Sequence, residues 1–565
     1  MPRLKKVHAA VLALALCCAA TSHAKRQDNA KLDQNARAVP DSVEIGKWVS
    51  ANEPRVMDEL REFLSIPNFA SDTPNIQRNA AKLVEMLQRR GFSTQLLPVE
   101  GRGPVVFGKL EVPGATRTII FYMHYDGQSV DPATWTGTKP YEPALRTGPL
   151  PNGSLIPFPT ASQKYEDNWR LYARSAADDK APIVALLAAV DALRAEKIPL
   201  INNVKVVFEG EEEAGSPHLE QTIRAHADLL GGDLLINGDG PVHQSGRMLV
   251  SFGNRGIVTA QITVYGPSHA LHSGHYGNWA PNPAMELAQL LASMKDADGH
   301  VRIANFYDGV TPLDATAQAT LKNLPANEAD LERDFDIAQP DGGGKSLAEL
   351  LTEPSLNVDG LRSEDVGAQS RTVIPATATA AIDMRLVKNI TPQMQFDRLV
   401  AHIKAQGYFV TSGEPTDEER RTYAKVARVS MTPGGYPAAL TSMDLPVSKA
   451  LITIVGQVAC NNAAFGRGEA WGMDQISSTD GKHKGTPVIW PIFTDQCVEG
   501  TGLVAMPQMG GSSPMYVFEN LKLPVISVPI VNYDDNQHSP NENLRVGNLW
   551  DGIKIYGVLL SDLKW

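Results

Sequence analysis

The stretch RTIIFYMHYD, residues 117–126, joins a run of apolar residues to a polar end formed by His124 and Asp126. An apolar run without alternation is typical of a strand that is buried on both faces of an α/β sheet. Ligands bind at the carboxyl ends of such strands, so these two polar residues are candidates for a binding site. Two alternatives stay open for this stretch alone. His124 is either a metal ligand whose other ring nitrogen is held by Asp126, or a buried, hydrogen-bonded histidine.

Strand-like and helix-like segments alternate on both sides of this stretch. Helix-spaced apolar residues in NIQRNAAKLVEMLQRRGF end at Gly91, and the helix-like KAPIVALLAAVDALRAEK precedes the strand NVKVVFEG. This alternation predicts the α/β class, with a mostly parallel central sheet flanked by helices. From about Arg255, IVTAQITVYG and TATAAIDMRLV instead alternate like half-exposed strands. We therefore predict a main domain over 43–254 and 389–565 and an inserted α+β domain over 255–388.

The N-terminus has the pattern of an export signal. Three basic residues precede the apolar run AAVLALALCCAA, and Ser22 and Ala24 lie at the small-residue positions of a cleavage site. The run is shorter than the ~20 residues that span a bilayer, which disfavours a membrane anchor. We expect a signal peptide over 1–24, a disordered leader over 25–42, and a secreted protein without membrane contact after cleavage. A bacterial periplasm is the simplest compartment.

The charge balance disfavours a nucleic-acid partner. The chain has 63 acidic and 52 basic residues, a net charge of −11. Cleavage after Ala24 would remove three basic residues and no acid, so that 49 basic residues remain and the net charge becomes −14. An acidic protein of this kind lacks the basic surface that binds phosphate backbones.

Two of the four cysteines remain after cleavage, Cys460 and Cys497. In an oxidising compartment such a pair can form a disulfide, which is one expectation, and two unrelated buried thiols are the alternative. The two cysteines flank much of a stretch over 462–508 that is rich in Gly, Asp and Trp and has no clear period. We predict a long loop there, stapled by the disulfide.

Further acids and a histidine follow strands or precede helices elsewhere in the chain. They are Asp178 and Asp179 in ARSAADDKAP, Glu209, Glu211, Glu212 and Glu213 in VVFEGEEEAGS, Asp239 in LLINGDG, and Asp534, Asp535 and His538 in VNYDDNQHSPNENL. Each motif alone has an ordinary explanation, because acids favour helix N-termini and Asn, Asp, Gly and Pro form turns. Carboxylates gathered at one place, however, repel each other unless cations neutralise them. Two histidines with three carboxylates are a ligand set for a pair of zinc ions.

Six motifs resemble those of one family in order and spacing. They are HYDGQSVDPATW, RSAADDKAP, FEGEEEAGS, LHSGHYGN, TVIPATATAAIDMRLV and HSPNENL. The family is that of the di-zinc exopeptidases and deacylases (metallopeptidase clan MH), which include carnosinases, glutamate carboxypeptidase, aminoacylase and succinyl-diaminopimelate desuccinylase. The dipeptidase branch is the most similar. The resemblance implies a zinc-exopeptidase-like catalytic domain with an inserted lid and dimerisation domain, and a homodimer.

The resemblance also implies the roles of individual residues at the metal centre. The implied ligands are His124 and Asp239 for one zinc ion, Glu213 and His538 for the other, and Asp178 for both. Asp126 would orient His124, and Glu212 would be the general base. The peptide bond from Asp178 to Asp179 would be cis.

Substrate contacts follow from the same resemblance. His272 would steady the oxyanion, often from the partner subunit, and Arg385 would hold a substrate carboxylate. Gly511 and Ser512 would form a glycine-rich substrate turn. The chain departs from the family at the loop before Asp178, because Ala173, Ser175 and Ala181 stand where glycines are usual. Glycine reaches conformations closed to other residues, so the loop is a place where the structure could differ.

The expected reaction is hydrolysis of the amide bond of a dipeptide or short peptide. A water activated by two zinc ions would attack the carbonyl while a glutamate base takes its proton. Co²⁺ or Mn²⁺ could replace zinc. An N-acyl amino acid deacylase shares every metal residue and is the alternative. An inactive peptide-binding homologue is a third possibility, and the intact base and ligand set argue against it.

Overall fold

The computed structural model describes residues 40–160, 163–324, 328–461 and 502–565. Its strands, labelled in chain order, are β1 Ser93–Leu97, β2 Val105–Leu110, β3 Thr118–His124, β4 Ala144–Arg146, β5 Leu155–Ile156, β6 Arg170–Tyr172, β7 Asn203–Glu209, β8 Leu234–Asn237, β9 Met248–Ser251, β10 Gly253–Tyr265, β11 Leu271–His272, β12 Ser355–Arg362, β13 Val373–Ile374, β14 Thr377–Leu386, β15 Phe409–Thr411, β16 Val426–Met431, β17 Ala439–Leu440, β18 Leu503–Met506, β19 Met509–Ser512, β20 Val525–Ser527 and β21 Asn543–Arg545.

The described helices are Pro40–Leu64, Thr73–Gln88, Lys180–Ala195, Leu219–Ala225, Ser273–Tyr276, Pro283–Ala292, Ala315–Lys322, Glu328–Asp334, Leu347–Leu351, Pro392–Ala405, Asp417–Thr422, Pro446–Asn461, Tyr516–Glu519 and Val546–Asp562. Short 3₁₀ turns lie at Pro132–Thr134, Glu212–Ala214 and Gly367–Gln369. Among the described residues, no helix has both the length and the apolar character needed to cross a bilayer.

The first sheet has eight strands in the order β1-β2-β7-β3-β8-β20-β9-β18. Its middle is parallel, because β3 runs in the same direction as β7 and β8, and β8 in the same direction as β20. The pairs β1/β2, β2/β7 and β9/β20 are antiparallel, and β9/β18 is parallel. The predicted α/β class with a mostly parallel central sheet is thus confirmed.

The strand β3 separates two apolar cores. Phe121 faces the long helices and meets Tyr556 edge-on, with ring centroids 5.6 Å apart. The next residue, Tyr122, faces the opposite side and meets Phe518 edge-on at 5.5 Å. Six of the seven residues of β3 are buried, which is why its sequence shows no alternation. Burial on both faces fixes the position of the strand end and of the residues that follow it.

The helix Lys180–Ala195 packs against the helices Pro40–Leu64 and Val546–Asp562 and is apolar on nearly all sides. A helix surrounded in this way is buried, as its composition predicts. Even its first residue, Lys180, is buried, and its Nζ donates hydrogen bonds to the backbone carbonyls of Phe63 at 2.9 Å and Ile66 at 3.1 Å. These bonds fasten the start of the helix, and thereby the loop before it.

The second sheet has the order β12-β14-β10-β16-β15, with β17 and β19 also pairing with β10. Along β14, alternate residues from Ala378 to Leu386 are buried and the others are partly exposed. The helices Pro283–Ala292 and Pro392–Ala405 contribute Leu287 and Leu399 to the core on the buried face. The predicted half-exposed strand is therefore confirmed for TATAAIDMRLV. In IVTAQITVYG the alternation holds from Ile257 to Ile262, and Thr263, Val264 and Tyr265 are all buried.

The predicted end of the inserted domain at residue 388 is wrong. Both β15 and β16 belong to the second sheet, where β16 pairs with β10 along Ala260–Tyr265. The helix Pro392–Ala405 packs on the same core. The physical reason is that β10 has two edges, and β16 supplies the partner that its second edge needs. The inserted domain thus extends to Met431.

Other predictions fall wholly or partly outside the described residues. The signal peptide over 1–24 lies outside them, as does most of the leader, but a helix already begins at Pro40, so residues 40–42 are not part of a disordered leader. The pairing of Cys460 with Cys497 also lies outside the described side chains. The predicted loop over 462–508 is described only from residue 502, where β18 forms part of the first sheet.

The alternation in β14 can be tested by a matched pair of substitutions. Replacing the fully buried Ile382 by Ala should lower the free energy of unfolding by about 2–5 kcal/mol, because it leaves a cavity. Replacing the exposed Thr377 of the same strand by Ala should change it by less than about 1 kcal/mol. Urea unfolding measures both. Equal effects of the two substitutions would contradict the assignment of faces.

Candidate metal centre

His124 ends β3, and its fully buried ring lies between two sets of carboxylates. Its Nε2 is 2.8 Å from Asp178 Oδ1 and 3.9 Å from Asp239 Oδ1. Its Nδ1, on the other side of the ring, is 3.3 Å from Asp126 Oδ1. The ring thus presents one nitrogen to a cluster of acids and the other to Asp126, which is the arrangement of a metal-ligating histidine with an orienting carboxylate.

The residues predicted as ligands form two groups that share one member. The groups are His124, Asp178 and Asp239, and Asp178, Glu213 and His538, and within each the potential ligand atoms lie within 4.8 Å of one another. His538 Nε2 is 3.2 Å from Asp178 Oδ2 and 3.2 Å from Glu213 Oε2. Asp178 therefore directs one oxygen to each group. The structure brings together all five residues in a geometry that could hold two neighbouring cations.

The sheet explains why these residues converge. His124 ends β3, the turn Glu212–Ala214 follows β7, and Asp239 follows β8 by two residues. The three strands are parallel neighbours, so their carboxyl ends lie at one edge of the sheet. The loops before the helix Lys180–Ala195 and after β20 supply Asp178 and His538 to the same edge.

Asp126 does more than face His124. Its Oδ1 accepts the backbone N–H of Glu212 at 3.1 Å, and its Oδ2 accepts that of Glu213 at 3.0 Å. The fully buried carboxylate therefore positions the ring and the acidic turn at once. Sequence analysis predicted only the first of these contacts. It also missed Gln128, whose Nε2 donates to Glu213 Oε2 at 2.8 Å.

The loop that carries Asp178 keeps the glycine-like conformation without the glycine. Ser175 has a φ of +61°, in the left-handed region that favours glycine. Its Oγ accepts a hydrogen bond from Asn68 Nδ2 at 2.9 Å, which sequence analysis did not foresee.

The peptide bond between Asp178 and Asp179 is cis, as the resemblance implied. Asp179 Oδ2 accepts the backbone N–H of His124 at 3.2 Å and so joins this loop to β3.

The protein groups of the cluster carry an excess of negative charge. Burial and repulsion by Asp178 raise the pKa of Asp239 to about 6. Burial also raises the pKa of Glu212 well above its usual value, and Asp239 adds to the rise. Hydrogen bonds with Asp178 and Glu213 raise the pKa of His538 to about 11. The carboxylates contribute to all three shifts, because they favour positive charge among them, which protons or divalent cations can supply.

Two predicted substrate residues lie in direct contact beside the cluster. Arg385, on β14, donates through Nη1 to Ser512 Oγ at 2.7 Å and through Nε to Asp383 Oδ2 at 3.2 Å. Ser512 and its neighbour Gly511 belong to β19, which pairs with β10. The same strand begins at Met509, and a Cβ added to Gly240, the residue after Asp239, would lie 3.2 Å from Met509 Cε. The segment is thus adjacent to the metal-ligand loop.

His272 is not part of the cluster in this chain. Its side chain is exposed, its Nδ1 accepts the backbone N–H of Gly274 at 3.1 Å, and its ring lies 4.5 Å from that of His275. Among the described residues, it makes no hydrogen bond or ion pair with a predicted metal ligand. The predicted contact with the reacting group therefore needs either a movement of this domain or a second subunit.

Residues 120–562 match the sequence profile described as Peptidase family M20/M25/M40. The chain belongs to this peptidase family. Cys-Gly metallodipeptidase DUG1 of Candida albicans is 25% identical over 527 residues, which cover 89% of this chain and 94% of the relative. Beta-Ala-His dipeptidase of Homo sapiens is 25% identical over 537 residues, which cover 92% of this chain and 89% of the relative.

Solved structures agree with the assignment to the M20 family. The M20 metallo-carboxypeptidase Sso-CP2 from Sulfolobus solfataricus has a TM-score of 0.67 at 26% identity, and the match covers 90% of this chain and 98% of that one. Human carnosine dipeptidase 1 has a TM-score of 0.65 at 22% identity over 93% and 99% of the two chains, and shows the same fold. The resemblance and the fold expected from it are confirmed, and the chain is a metallopeptidase.

Tyr436 is a further residue near the centre of this M20 peptidase, and sequence analysis missed it. Burial raises the pKa of its phenol, Glu212 and Asp239 add to the rise, and Arg385 opposes it. The phenol therefore experiences the fields of both the acidic cluster and the substrate-side arginine. Its ring stacks on Tyr516 with centroids 6.1 Å apart. Its only sequence signal is a tyrosine after two glycines, which has no distinctive spacing.

Glu209, for which sequence analysis found no role, is a buried acid beside the centre. It accepts a hydrogen bond from the hydroxyl of Tyr122, and burial raises its pKa to about 8. Between the ordinary value of 4.5 and about 8, the folded protein holds a proton that the unfolded chain releases. The contribution of Glu209 to the free energy of unfolding therefore falls as pH rises through this window.

Glu209→Gln removes this titration and should flatten the pH dependence of stability. Between pH 5 and pH 8, the free energy of unfolding of the metal-free wild type should fall by up to about 4 kcal/mol more than that of the variant. Urea unfolding in chelator at several pH values measures the difference. Glu220→Gln, at a glutamate with a 43% exposed side chain, is the control and should follow the wild type. Parallel curves for wild type and Glu209→Gln would contradict the assignment.

Proposed function

We propose that this M20 peptidase is a secreted exopeptidase that hydrolyses the amide bond of dipeptides or short peptides with two zinc ions and a glutamate base. The observation that carries the proposal is the pair of ligand groups that share Asp178, with Glu212 beside them. The names of the relatives support the substrate class, because they act on Cys-Gly and β-Ala-His dipeptides. The export pattern over residues 1–24 supports secretion into a periplasm.

The donor set fits divalent cations. Each group offers one histidine nitrogen and two carboxylates, which are ligands of zinc in catalytic sites. His124 and Asp239 would hold one ion, Glu213 and His538 the other, and Asp178 both. When bound, the ions would supply Lewis acidity and lower the pKa of a water molecule. Co²⁺ and Mn²⁺ accept the same donors, so zinc is the proposed metal and the others are alternatives.

Glu212 would then move the proton. Its carboxylate would take a proton from the attacking water and deliver it to the nitrogen of the leaving amine. Burial raises the pKa of this group, which brings it closer to the range in which it can both accept and release a proton near neutral pH. Its backbone N–H is held by Asp126, so the turn that carries the base has a fixed position relative to His124.

The substrate side would be formed by β14 and β19. Arg385 presents a guanidinium beside Ser512, and a guanidinium fork suits the terminal carboxylate of a peptide. A carboxylate at this position would make the enzyme an exopeptidase of the dipeptidase or carboxypeptidase type. The M20 metallo-carboxypeptidase among the structural neighbours is compatible with either type.

The experiment that tests this function combines metal removal with a substrate panel. We expect chelator-treated protein to lose activity and to regain it with Zn²⁺. The enzyme with Zn²⁺ restored should cleave unblocked dipeptides faster than peptides with an amidated C-terminus. Faster hydrolysis of N-acetyl amino acids would instead identify a deacylase. Failure of every metal to support turnover on the whole panel would favour an inactive binding protein.

Glu212→Gln should lower kcat by at least about 10²-fold, because the amide cannot accept the proton. The metal content, measured by mass spectrometry of the purified variant, should match that of the wild type. Glu220→Gln changes the same charge at an exposed position in the next helix and should keep full activity. Activity that persists in Glu212→Gln would refute its role as the base.

A homodimer formed through the inserted domain is part of the proposal. This domain exposes large apolar side chains, with Trp279 at 80%, Val366 at 86% and Leu361 at 63% exposure, which suits a surface covered by a second copy. In such a dimer, the exposed His272 of one subunit could reach the oxyanion at the centre of the other. A hydrogen bond there would stabilise the charge that develops in the transition state.

The action of His272 across subunits can be tested by mixing two inactive variants. His272→Ala keeps Glu212, and Glu212→Gln keeps His272, so each mixed dimer contains one complete centre. After subunit exchange, activity should return to about a quarter of that of the wild type, because half of the dimers are mixed and one of their two centres is intact. No recovery in a mixture shown by mass spectrometry to contain mixed dimers would exclude action in trans.

A further inference from the structure

Glu542 lies immediately before β21 and is completely buried. Its Oε1 accepts the backbone N–H groups of Ala177 and Asp178, both at 2.9 Å. Its Oε2 accepts the backbone N–H of Ser175 at 2.9 Å and a hydrogen bond from Arg174 Nη1 at 2.8 Å. One carboxylate thus binds four donors of the loop that ends in the shared ligand Asp178.

The same residue belongs to the segment that carries another ligand. His538 precedes Glu542 by four residues, and the intervening Ser539 accepts a hydrogen bond from Arg174 Nη2 through its carbonyl at 3.2 Å. After Glu542, β21 pairs with β6, which leads into the loop of Asp178. The segment from His538 to β21 is therefore joined to the loop before Asp178 at several consecutive points.

His538 depends on this connection more than the other histidine ligand does. Its side chain is 60% exposed, so little packing holds it. His124, in contrast, ends a strand that is buried on both faces, and Asp239 follows the neighbouring strand. The sheet itself sets the separation of those two ligands. Among the described residues, the separation of His538 from Asp178 depends instead on the contacts of Ser539, Glu542 and β21 with the segment before Asp178.

We propose that Glu542 is a positioning residue that sets the separation of Asp178 and His538 and thereby the affinity of the group Asp178, Glu213 and His538 for its cation. This inference rests on the two-metal function proposed above. An amide in place of the carboxylate would turn one acceptor oxygen into a donor facing other donors, so the loop would lose bonds that no other group replaces. The group that contains His124 and Asp239 shares Asp178, but its other two ligands keep the supports of the sheet.

Metal titration of Glu542→Gln tests the proposal without any measurement of turnover. Zn²⁺ is added to metal-free protein in competition with a chromophoric chelator, which resolves the two binding constants. We expect one ion to bind about 10–100-fold more weakly than in the wild type, the range seen when the partners of metal ligands are changed. The other ion should be weakened less, because Asp178 is its only ligand on the affected loop. Hydrogen exchange of the peptide that contains residues 174–178 should be faster in the variant.

Glu59→Gln is the matched control. Glu59 is also a buried glutamate paired with an arginine, since its Oε2 lies 2.7 Å from Nη2 of Arg90, but it belongs to the helix Pro40–Leu64 and touches no predicted ligand. Its variant should bind both ions like the wild type. If Glu542→Gln does not fold, Glu542→Asp keeps the charge and shortens the reach, and the same selective weakening is expected.

The outcomes separate the two proposals. Both proposals are supported if the wild type binds two ions and the Glu542 variant binds one of them selectively more weakly. Two ions bound with unchanged affinity in the variant, or equal weakening of both ions, overturn the role of Glu542 and leave the two-metal function intact. A wild type that binds fewer than two ions contradicts the two-metal function itself and overturns the inference with it.

Discussion

The carboxylate of Asp178 faces two histidines at once, and the rest of the centre is arranged around this constraint. Its Oδ1 lies 2.8 Å from His124 and its Oδ2 lies 3.2 Å from His538. One histidine ends a strand of the central sheet, and the other lies in a loop near the C-terminus of the chain. A single side chain can serve both only if the backbone around it is held from several directions.

The structure meets this constraint mainly with acids that bind backbone N–H groups. Asp126 accepts the N–H groups of Glu212 and Glu213, Asp179 accepts that of His124, and Glu542 accepts those of the loop before Asp178. A charged acceptor forms stronger hydrogen bonds than a neutral one, and the buried location increases the effect. Acids outside the predicted ligand set thus hold residues that belong to it. The excess of negative charge at the centre favours positive charge there.

Much of the fold was predictable because elements that are buried on all sides consist almost entirely of apolar residues. The apolar run of β3 and the nearly all-apolar helix Lys180–Ala195 both indicate elements that are covered on all sides, and both are. The boundary of the inserted domain was not predictable in the same way. The helix Pro392–Ala405 and β16 have ordinary amphipathic patterns, and nothing in such a pattern states which of two sheets an element joins.

At the centre, the sequence by itself determined which residues are candidate metal ligands, because histidines and acids at the ends of apolar strands can be recognised in the sequence. It determined the family as well, because the motifs occur in a characteristic order. Only the tertiary structure decided that Glu542 and Asn68 support the loop of Asp178, that Ser175 adopts the left-handed conformation, and that His272 stays on the surface. The physical reason is that these contacts join segments far apart in the chain. The residues next to a position in the sequence do not indicate which backbone groups folding places against it.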